Sequence, residues 1–205
     1  MRETGGEGVV VGIDEVGRGA LAGPLTVGAV ALPDEPEIVG VDDSKKLSPK
    51  RREELASQIR EVALGVGIAH IPPEEIDACG MAASLRVAFS RALSACEADM
   101  RSRGTAEKAD AVLVDGNPIH IGAGERNIVH GDAKAACIAA ASIVAKVTRD
   151  ALMREYGEKY PGYGFERNKG YGSSEHIEAI RRLGPTCLHR MSFLDNIVSE
   201  QQRLL

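Results

Sequence analysis

The chain has 205 residues, of which 43% are hydrophobic and 27% are charged, and its formal net charge at pH 7 is −5. This composition is typical of a globular domain and excludes a generic basic coat for nucleic acid. No apolar run approaches the roughly 18 residues that a membrane-spanning helix needs. We therefore expect one domain over residues 1–205, with a C-terminal helical extension over about 187–205, no membrane association and a monomeric state.

The N-terminus and the cysteines bear on the cellular compartment. Residues 1–7 are acidic and glycine-rich, and they lack the apolar core of a signal peptide. The four cysteines lie far apart without CxxC spacing, which favours reduced thiols that pack as small hydrophobic side chains. These features predict a cytoplasmic protein.

The apolar pattern predicts an α/β fold with a mixed sheet flanked by helices. β-Branched runs at 8–14 and 24–32, joined by a glycine-rich connection, indicate two neighbouring antiparallel strands. Ser48 followed by Pro49 predicts a helix that ends near residue 63. Beyond it the pattern predicts strands at 64–71 and 111–116, helices at about 72–102, 134–157, 173–182 and 193–205, and a glycine and aromatic loop at 161–172.

Acidic residues follow several of the apolar runs. Asp14 and Glu15 end the first strand. Asp115 ends the fourth, and Asp132 comes just before a helix. A buried carboxylate is costly unless it is paired or bound to a metal, and neighbouring carboxylates repel one another. Because hard cations such as Mg²⁺ take oxygen ligands and share their coordination with phosphate, this pattern predicts a metal-dependent site for a phosphodiester.

A glycine-flanked arginine, Arg18, follows the first two acids. Gly17 and Gly19 allow backbone N–H groups to approach a phosphate closely. The segment 17–22 also fits the looser G-x-G-x-x-G/A dinucleotide fingerprint, with acids at 42 and 43 about 20 residues further on. A nucleotide-binding oxidoreductase is nevertheless the weaker alternative, because a strand rather than a helix is predicted after the loop and two acids would lie beside the pyrophosphate.

Nine short blocks occur in order along nearly the whole chain. They are GIDEVGRG at 12–19, LAGP at 21–24, DSKKLS at 43–48, VDG at 114–116, GDAK at 131–134, AAASIVAKVTRD at 139–150, YPGYGF at 160–165, KGYG at 169–172 and HRMSF at 189–193. Each block alone is weak evidence, whereas the ordered set is specific. The set closely resembles the type 2 ribonucleases H, and in particular the bacterial ribonuclease HII family.

The resemblance implies a fold, an activity and a metal site. The fold is ribonuclease H-like, and the activity is endonucleolytic hydrolysis of the RNA strand in RNA–DNA hybrids. Incision 5′ to single ribonucleotides embedded in duplex DNA is implied as well, with 5′-phosphate and 3′-hydroxyl products. The catalytic carboxylates, which would also bind Mg²⁺ or Mn²⁺, are Asp14, Glu15, Asp115 and Asp132.

Such a site needs no histidine base or covalent nucleophile. Two metal ions about 4 Å apart activate the attacking water and stabilise the leaving oxygen, and four carboxylates match that demand. We expect two ions to be present when substrate is bound.

The resemblance also implies how the substrate is recognised. The loop formed by Gly17, Arg18 and Gly19 would recognise the ribose 2′-hydroxyl, which distinguishes RNA from DNA. Tyr171 would stack on the adjoining deoxyribose and so report an RNA-to-DNA junction. Further basic residues offered as phosphate contacts are Lys45, Lys46, Lys146, Arg149 and Lys169.

Two positions depart from the family pattern. His130 stands where lysine is usual before Gly-Asp, and Asn168 stands where histidine is usual before Lys-Gly-Tyr. Neither is one of the four acids, so we expect any effect to fall on substrate binding or pH dependence.

Several side chains have less definite interpretations. We expect ordinary surface or loop positions for three histidines, His70, His120 and His176, and a structural role for the His189-Arg190 pair. Tyr163 and Phe165 either line the substrate groove or pack the loop. Residues 201–205, QQRLL, loosely fit a Q-x-x-L-L motif for a replication sliding clamp, although an amphipathic tail explains the same letters.

Two further functional classes compete with the nuclease. A non-catalytic protein that binds RNA–DNA hybrids would share the fold, but it would not need all four acids. A resolvase or exonuclease of the same fold would not need the glycine loop and Tyr171 in these contexts. Fold alone does not separate these classes, whereas the site motifs do.

Overall fold

The structure is a computed structural model that describes residues 8–33, 48–122 and 124–197. Its strands are β1 (Val10–Val16), β2 (Leu25–Ala31), β3 (Gly65–Ile71), β4 (Ala111–Asp115) and β5 (Glu125–Ile128). Its helices are α1 (Pro49–Val62), α2 (Pro73–Cys79), α3 (Met81–Arg103), α4 (Ala136–Lys159), α5 (Phe165–Asn168) and α6 (Ser174–Leu183), with 3₁₀ turns at Gly131–Ala133 and Met191–Phe193. The acids at 42 and 43, Lys45, Lys46 and the clamp-like residues 201–205 lie outside the described residues.

The five strands form one mixed sheet in the order β3-β2-β1-β4-β5. β1 pairs antiparallel with β2, and β2 pairs antiparallel with β3. On its other side β1 runs parallel to β4, which runs parallel to β5. The predicted α/β class, mixed sheet and antiparallel β1–β2 pair are therefore confirmed.

Helices cover both faces of the sheet. α3 packs against β2 and β3 on one face, where Phe89, Ala92 and Cys96 are fully buried. α1 and α4 cover the other face, and a run of alanines lets α4 lie close to it. A Cβ on Gly12 would lie 2.2 Å from the backbone carbon of Cys137, so α4 packs directly on the β1 backbone. This packing holds the end of β1 rigidly in place.

Some predicted element boundaries are wrong. The single helix expected over 72–102 is two helices, because the chain breaks at Gly80 with φ 76° and ψ 160°. The loop expected at 161–172 contains the short helix α5. At the C-terminal end, Met191–Phe193 is a 3₁₀ turn and residues 198–205 are not described, so the terminal helix and the helical extension stay predictions.

The dinucleotide alternative is wrong. The glycine loop after β1 leads into β2, an antiparallel strand, and not into a helix whose N-terminus binds phosphate.

Two compositional expectations have mixed outcomes. Among the described residues, no helix is long and apolar enough to cross a membrane. All four cysteines are free, but Cys79 and Cys187 are exposed, so only part of the expected burial is found.

Candidate active site

The four predicted acids line one cavity of about 420 Å³. Ile13 of β1 pairs with Val114 of β4, so the parallel register places the next residues, Asp14 and Asp115, side by side at the ends of neighbouring strands. Glu15 follows Asp14, and Asp132 enters from the 3₁₀ turn before α4. The topology therefore gathers residues that are up to 118 positions apart in the chain (132 − 14).

Helices α1 and α4 supply the polar wall opposite the acids. Ser142 and Lys146 of α4 line the cavity, and so does Arg52 of α1. Ser142 and Lys146 are four positions apart and therefore share one helix face. The Lys146 ammonium donates to Asp150 at 2.6 Å. The cavity thus combines an acidic floor with basic groups at its wall.

Burial strongly perturbs the ionisation of Asp14. Its side chain is 9% exposed, and this burial raises its pKa to about 7. The hydrogen bond from Ser142 opposes the shift, while the neighbouring charges of Glu15 and Asp115 reinforce it. A group that lies between two other carboxylates in low dielectric is stabilised in its ionised form by a cation.

The other acids are held by local partners. Burial also raises the pKa of Glu15, whereas Arg18, whose Nη1 lies 3.6 Å from Glu15 Oε1, lowers it. Asp115 accepts a hydrogen bond from the backbone N–H of Gly131 at 2.7 Å. That bond links the end of β4 to the turn that carries Asp132.

The acids lie in a trough rather than in a closed pocket. Glu15 and Asp115 also line a second cavity of about 500 Å³ on the opposite side from α4. Arg18, Arg86 and His120 are among its other lining residues. A site that continues in two directions past the same carboxylates fits a chain-like substrate.

The glycine loop lies next to the acids and contacts Tyr171. The backbone N–H of Gly17 donates to the Tyr171 hydroxyl at 3.1 Å, and Tyr171 remains 38% exposed. Gly17 has φ 84°, and a Cβ there would lie 2.3 Å from Nε of Arg149. Position 17 therefore requires glycine for both its backbone conformation and its close contact.

Two buried arginines stabilise the glycine loop from the interior of the protein. Arg149 is fully buried, and it donates to the backbone carbonyls of Pro24, Lys169 and Ala22 at 2.9, 2.8 and 3.1 Å. Its guanidinium carbon lies 5.5 Å from the centre of the Tyr171 ring. The expectation that Arg149 contacts phosphate is therefore wrong, because its donors are used inside the protein.

Arg190 acts in the same way. It is fully buried and donates to the carbonyls of Arg18 and Gly23. The structural role expected for this position is confirmed.

The segment before Tyr171 is held by Asn168. Its side-chain amide donates to the Tyr163 carbonyl at 2.7 Å, and its side-chain oxygen accepts from the Gly170 N–H at 2.8 Å. This residue, which departs from the family pattern, therefore links two parts of the loop by hydrogen bonds. Lys169 has a positive φ of 53°, and its ammonium donates to the Glu166 carbonyl.

Tyr163 and Phe165 pack the loop. They are 6% and 0% exposed and stack with ring centres 5.4 Å apart, which resolves the alternative in favour of packing.

The histidines differ in their surroundings. His70 is exposed and bonds to Thr26, and His120 lies at the surface in the second cavity. His176 is fully buried beside His189, so the expected surface position of His176 is wrong. His130 is exposed, with φ 57°.

The donor set suits a hard divalent cation. Every acid in the cavity offers carboxylate oxygens, the ligands that Mg²⁺ and Mn²⁺ prefer. Among the described residues, no three His, Cys, Asp or Glu side chains stand in a ready-made ligand cluster. One oxygen of Asp14 accepts from the backbone N–H of Glu15, one of Glu15 lies beside Arg18, and one of Asp115 accepts from the backbone N–H of Gly131.

Comparison with known proteins decides the family. A sequence profile for ribonuclease HII matches residues 11–196, a range that includes all four acids, the glycine loop and Tyr171. The chain belongs to the ribonuclease HII family. Ribonuclease HII from Bacillus velezensis is 45% identical over 185 residues, which are 90% of this chain and 69% of that protein.

Solved structures agree with this fold. The PCNA:RNase HII complex from Archaeoglobus fulgidus contains a chain with a TM-score of 0.74 and 28% identity, covering 92% of this chain and 96% of that one. Bst-RNase HIII in complex with Mn²⁺ has a TM-score of 0.75 at 18% identity, covering 97% and 71% of the two chains, and shows the likeness of fold.

Membership in the ribonuclease HII family makes this chain an endonucleolytic hydrolase with ribonuclease H activity on RNA–DNA hybrids. The predicted family, ribonuclease H-like fold and enzyme class are therefore confirmed.

Several site residues were not singled out from the sequence. Ser142 lies within the AAASIVAKVTRD block, and its i,i+4 spacing from Lys146 is the signal that places both on one helix face. Arg52 belongs to a basic cluster on α1 that reads as an ordinary solvated face. The partners of Asn168 and His176 depend on tertiary contacts that leave no local pattern.

Proposed function

We propose that this chain is a metal-dependent ribonuclease that also incises 5′ to single ribonucleotides embedded in duplex DNA. The proposed products carry 5′-phosphate and 3′-hydroxyl ends. One observation carries the proposal: four carboxylates line a single trough, and the Gly17–Tyr171 contact lies immediately beside it. The metal requirement and the incision at single ribonucleotides extend the hybrid-directed activity of the family.

Asp14, Glu15, Asp115 and Asp132 would hold one or two divalent ions, Mg²⁺ or Mn²⁺. When bound, such ions lower the pKa of a coordinated water and stabilise the charge on the leaving oxygen. The raised pKa of Asp14 supports this assignment, since the metal-free protein keeps a carboxylate in a costly environment. Ser142 would fix the Asp14 side chain through its hydrogen bond, and Lys146 would contact the substrate backbone from the α4 wall.

The glycine loop would contact the ribose of the nucleotide at the cut. Arg18 and Gly19 are exposed, and the space where Gly19 would carry a Cβ is open, so a sugar can approach the backbone. A site that hydrogen-bonds the 2′-hydroxyl rejects the deoxy analogue strongly, because its own polar groups are then left unpaired. Backbone contacts carry no base information, so little sequence preference is expected.

Tyr171 would stack on the deoxyribose next to the ribonucleotide. Its ring is partly exposed, while its hydroxyl and its ring face are held by Gly17 and Arg149. An aromatic ring fixed in this way can pack face-on against a sugar that has no 2′-hydroxyl. Lys169, two residues earlier, and Lys45 are proposed phosphate contacts; Lys45 lies outside the described residues.

A replication sliding clamp is a proposed partner. The support is the QQRLL sequence at 201–205 together with the PCNA complex of the Archaeoglobus fulgidus protein. The test compares the full chain with a chain that ends at residue 200 in binding to a purified sliding clamp. Equal binding of the two chains would remove residues 201–205 from the contact.

The experiment that tests the enzyme uses a DNA duplex with one internal ribonucleotide. Wild type, Asp14→Asn and the control Glu178→Gln are compared in Mg²⁺, in Mn²⁺ and in EDTA. Glu178 is an exposed acid on α6, away from the trough. We expect incision 5′ to the ribonucleotide by wild type and Glu178→Gln, with loss of incision in Asp14→Asn and in EDTA. Cleavage of long hybrids without incision of this duplex would overturn the roles of the loop and Tyr171.

A further inference from the structure

Two histidines are buried directly behind Tyr171, outside the trough that holds the acids. His176 of α6 is 0% exposed, and His189 is 2% exposed. Their Nε2 atoms lie 3.1 Å apart, within hydrogen-bond distance. Two imidazole nitrogens at this distance form a favourable contact only when one carries a hydrogen and the other does not.

The outer partners of the pair define which nitrogen carries each hydrogen. His176 Nδ1 lies 2.9 Å from the Tyr171 carbonyl oxygen, which only accepts, so this nitrogen carries a hydrogen. His189 Nδ1 accepts from the backbone N–H of Thr186 at 2.9 Å, so it carries none. A neutral His189 then has its hydrogen on Nε2 and donates to Nε2 of His176.

These bonds form a chain with one direction. It runs from the Thr186 N–H through His189 and His176 to the carbonyl of Tyr171. Each imidazole is neutral, and each uses both nitrogens. Such a chain fixes the orientation of both rings, because rotating either ring breaks two bonds at once.

The surroundings keep the pair neutral. The Phe165 ring packs edge-on to His176 at 5.3 Å, and the Tyr163 ring lies 5.2 Å from His189. This burial lowers the pKa of both histidines, that of His189 to about 4.

The Tyr171 backbone and hydroxyl are held at opposite ends. Its carbonyl accepts from His176 and from the backbone N–H of Ser173 at 2.8 Å, and its N–H donates to the Asn168 carbonyl at 3.0 Å, while its hydroxyl accepts from Gly17. The ring between these anchors is partly exposed. Moving the carbonyl end would tilt the ring and lengthen the hydroxyl contact with the glycine loop.

We propose that His176 and His189 are positioning residues that hold Tyr171 against the glycine loop and thereby set selectivity for the RNA-to-DNA junction. The link to selectivity rests on the proposed role of Tyr171. The positioning itself rests on the hydrogen-bond chain alone. Neither histidine touches the acids of the trough, so the pair acts on substrate choice rather than on the hydrolytic step.

The test uses two amides that replace different nitrogens of the same ring. His176→Asn places its amide near the position of Nδ1 and retains a donor for the Tyr171 carbonyl, whereas His176→Gln places its amide near Nε2 and loses that donor. Ala179→Gly, at a buried position on the same helix, is the control for general destabilisation of α6.

The first readout is the amide hydrogen exchange of Gly17, measured by NMR on the full chain without substrate. We expect His176→Gln to accelerate this exchange at least about tenfold, with His176→Asn close to wild type and Ala179→Gly unchanged. Equal acceleration in Ala179→Gly, or none in His176→Gln, would overturn the positioning role.

The second readout is the ratio of kcat/KM for a single-ribonucleotide duplex to kcat/KM for a long hybrid. We expect His176→Gln to lower this ratio about tenfold to a hundredfold, mainly through KM, and His176→Asn to restore most of it. Tyr171→Ala separates the two claims. If that variant leaves the ratio unchanged while Gly17 exchange still responds to His176→Gln, the proposed function of Tyr171 fails and the positioning stands. If Tyr171→Ala lowers the ratio and His176→Gln does not, the histidine proposal is wrong.

Discussion

Gly17 and Tyr171 are 154 positions apart in the chain, and they are joined by a single hydrogen bond of 3.1 Å from a backbone N–H to a phenol oxygen. This bond connects the loop after β1 to the segment before α6. It places the two elements proposed to recognise the substrate in one structural unit beside the acids. The arrangement makes several consequences measurable.

The contribution of Asp14 to the stability of the metal-free protein should fall as the pH rises. Asp14 has a pKa of about 7 when folded and an ordinary value of 3.8 when unfolded, so between these values the folded state binds more protons. The stability that Asp14 contributes therefore falls from about pH 4 to pH 7. We expect Asp14→Asn to raise Tm in EDTA at pH 8 and to change it little at pH 4. Calorimetry across this range tests the expectation, which a pH-independent difference would contradict.

Ser142→Ala should weaken activity without abolishing it. The hydroxyl orients a proposed metal ligand, and the loss of such a supporting partner typically costs about 10–100-fold in metal affinity or activity. Raising the Mg²⁺ concentration should recover part of the loss. The control is Ser57→Ala on the exposed face of α1. Titration of activity against Mg²⁺ is the measurement, and an unchanged midpoint would contradict this role.

Gly17→Ala should destabilise the protein, and Gly19→Ala should not. Position 17 has φ 84° and places a Cβ against Arg149, whereas nothing lies within 4 Å of a Cβ at position 19. The left-handed conformation costs roughly 1–2 kcal/mol for a residue with a Cβ, before any clash. Urea unfolding of the two variants tests the difference. Equal losses would contradict both the backbone cost and the close contact assigned to position 17.

Arg149→Met should be among the most destabilising substitutions on α4. It leaves three buried carbonyls without their donor, at about 1–3 kcal/mol for each group. Arg154→Met, an exposed position on the same helix, is the matched control, and surface changes of this kind usually stay within about 0.5 kcal/mol. Both free energies of unfolding come from urea titration. A small loss at position 149 would mean that water replaces the guanidinium.

His189→Asn should reduce the loss in free energy of unfolding that occurs as the pH falls from 6.5 toward 4. Burial lowers the pKa of His189 to about 4, below its ordinary 6.5, so the wild type gains stability from the neutral ring above pH 6.5 and loses it as the pH falls toward 4. We expect the variant to be less stable than wild type at pH 7 and the gap to narrow by pH 4. A constant gap would show that folding does not shift the pKa of His189.

The convergence of the four acids could be predicted from the sequence because their signal is local. Asp14 and Asp115 each end an apolar strand, and parallel neighbours in a sheet bring such ends together. The mixed sheet and the antiparallel β1–β2 pair follow from the same alternation of strands and turns. Asp132 is less regular: it lies in a 3₁₀ turn, yet the short apolar run before it still placed it at the site.

The supports of the recognition loop were not predictable in this way. The sequence makes Arg149 a candidate phosphate contact, because nothing local shows that three distant carbonyls surround it. His176 is misread for the same reason, since His189 and the Tyr171 carbonyl reach it only in the folded chain. Burial of polar groups depends on long-range partners, and single-sequence patterns do not contain them.

The end of β1 limits the distance between the proposed cleavage site at Asp14 and the proposed recognition loop at Gly17. Only two residues lie between Asp14 and Gly17, so the two positions are at most about 10 Å apart even when the chain is fully extended. Successive nucleotides of one strand are about 3.4 Å apart along the helix axis, so a shift of the cut by a single nucleotide would require a comparable displacement of this short segment. Asp14, Glu15 and Val16 are paired with β2, and β1 is paired with β4 up to Ile13, so the segment that leads to the glycine loop starts inside the sheet. In the proposed function, this short connection would set the position of the incision relative to the ribonucleotide.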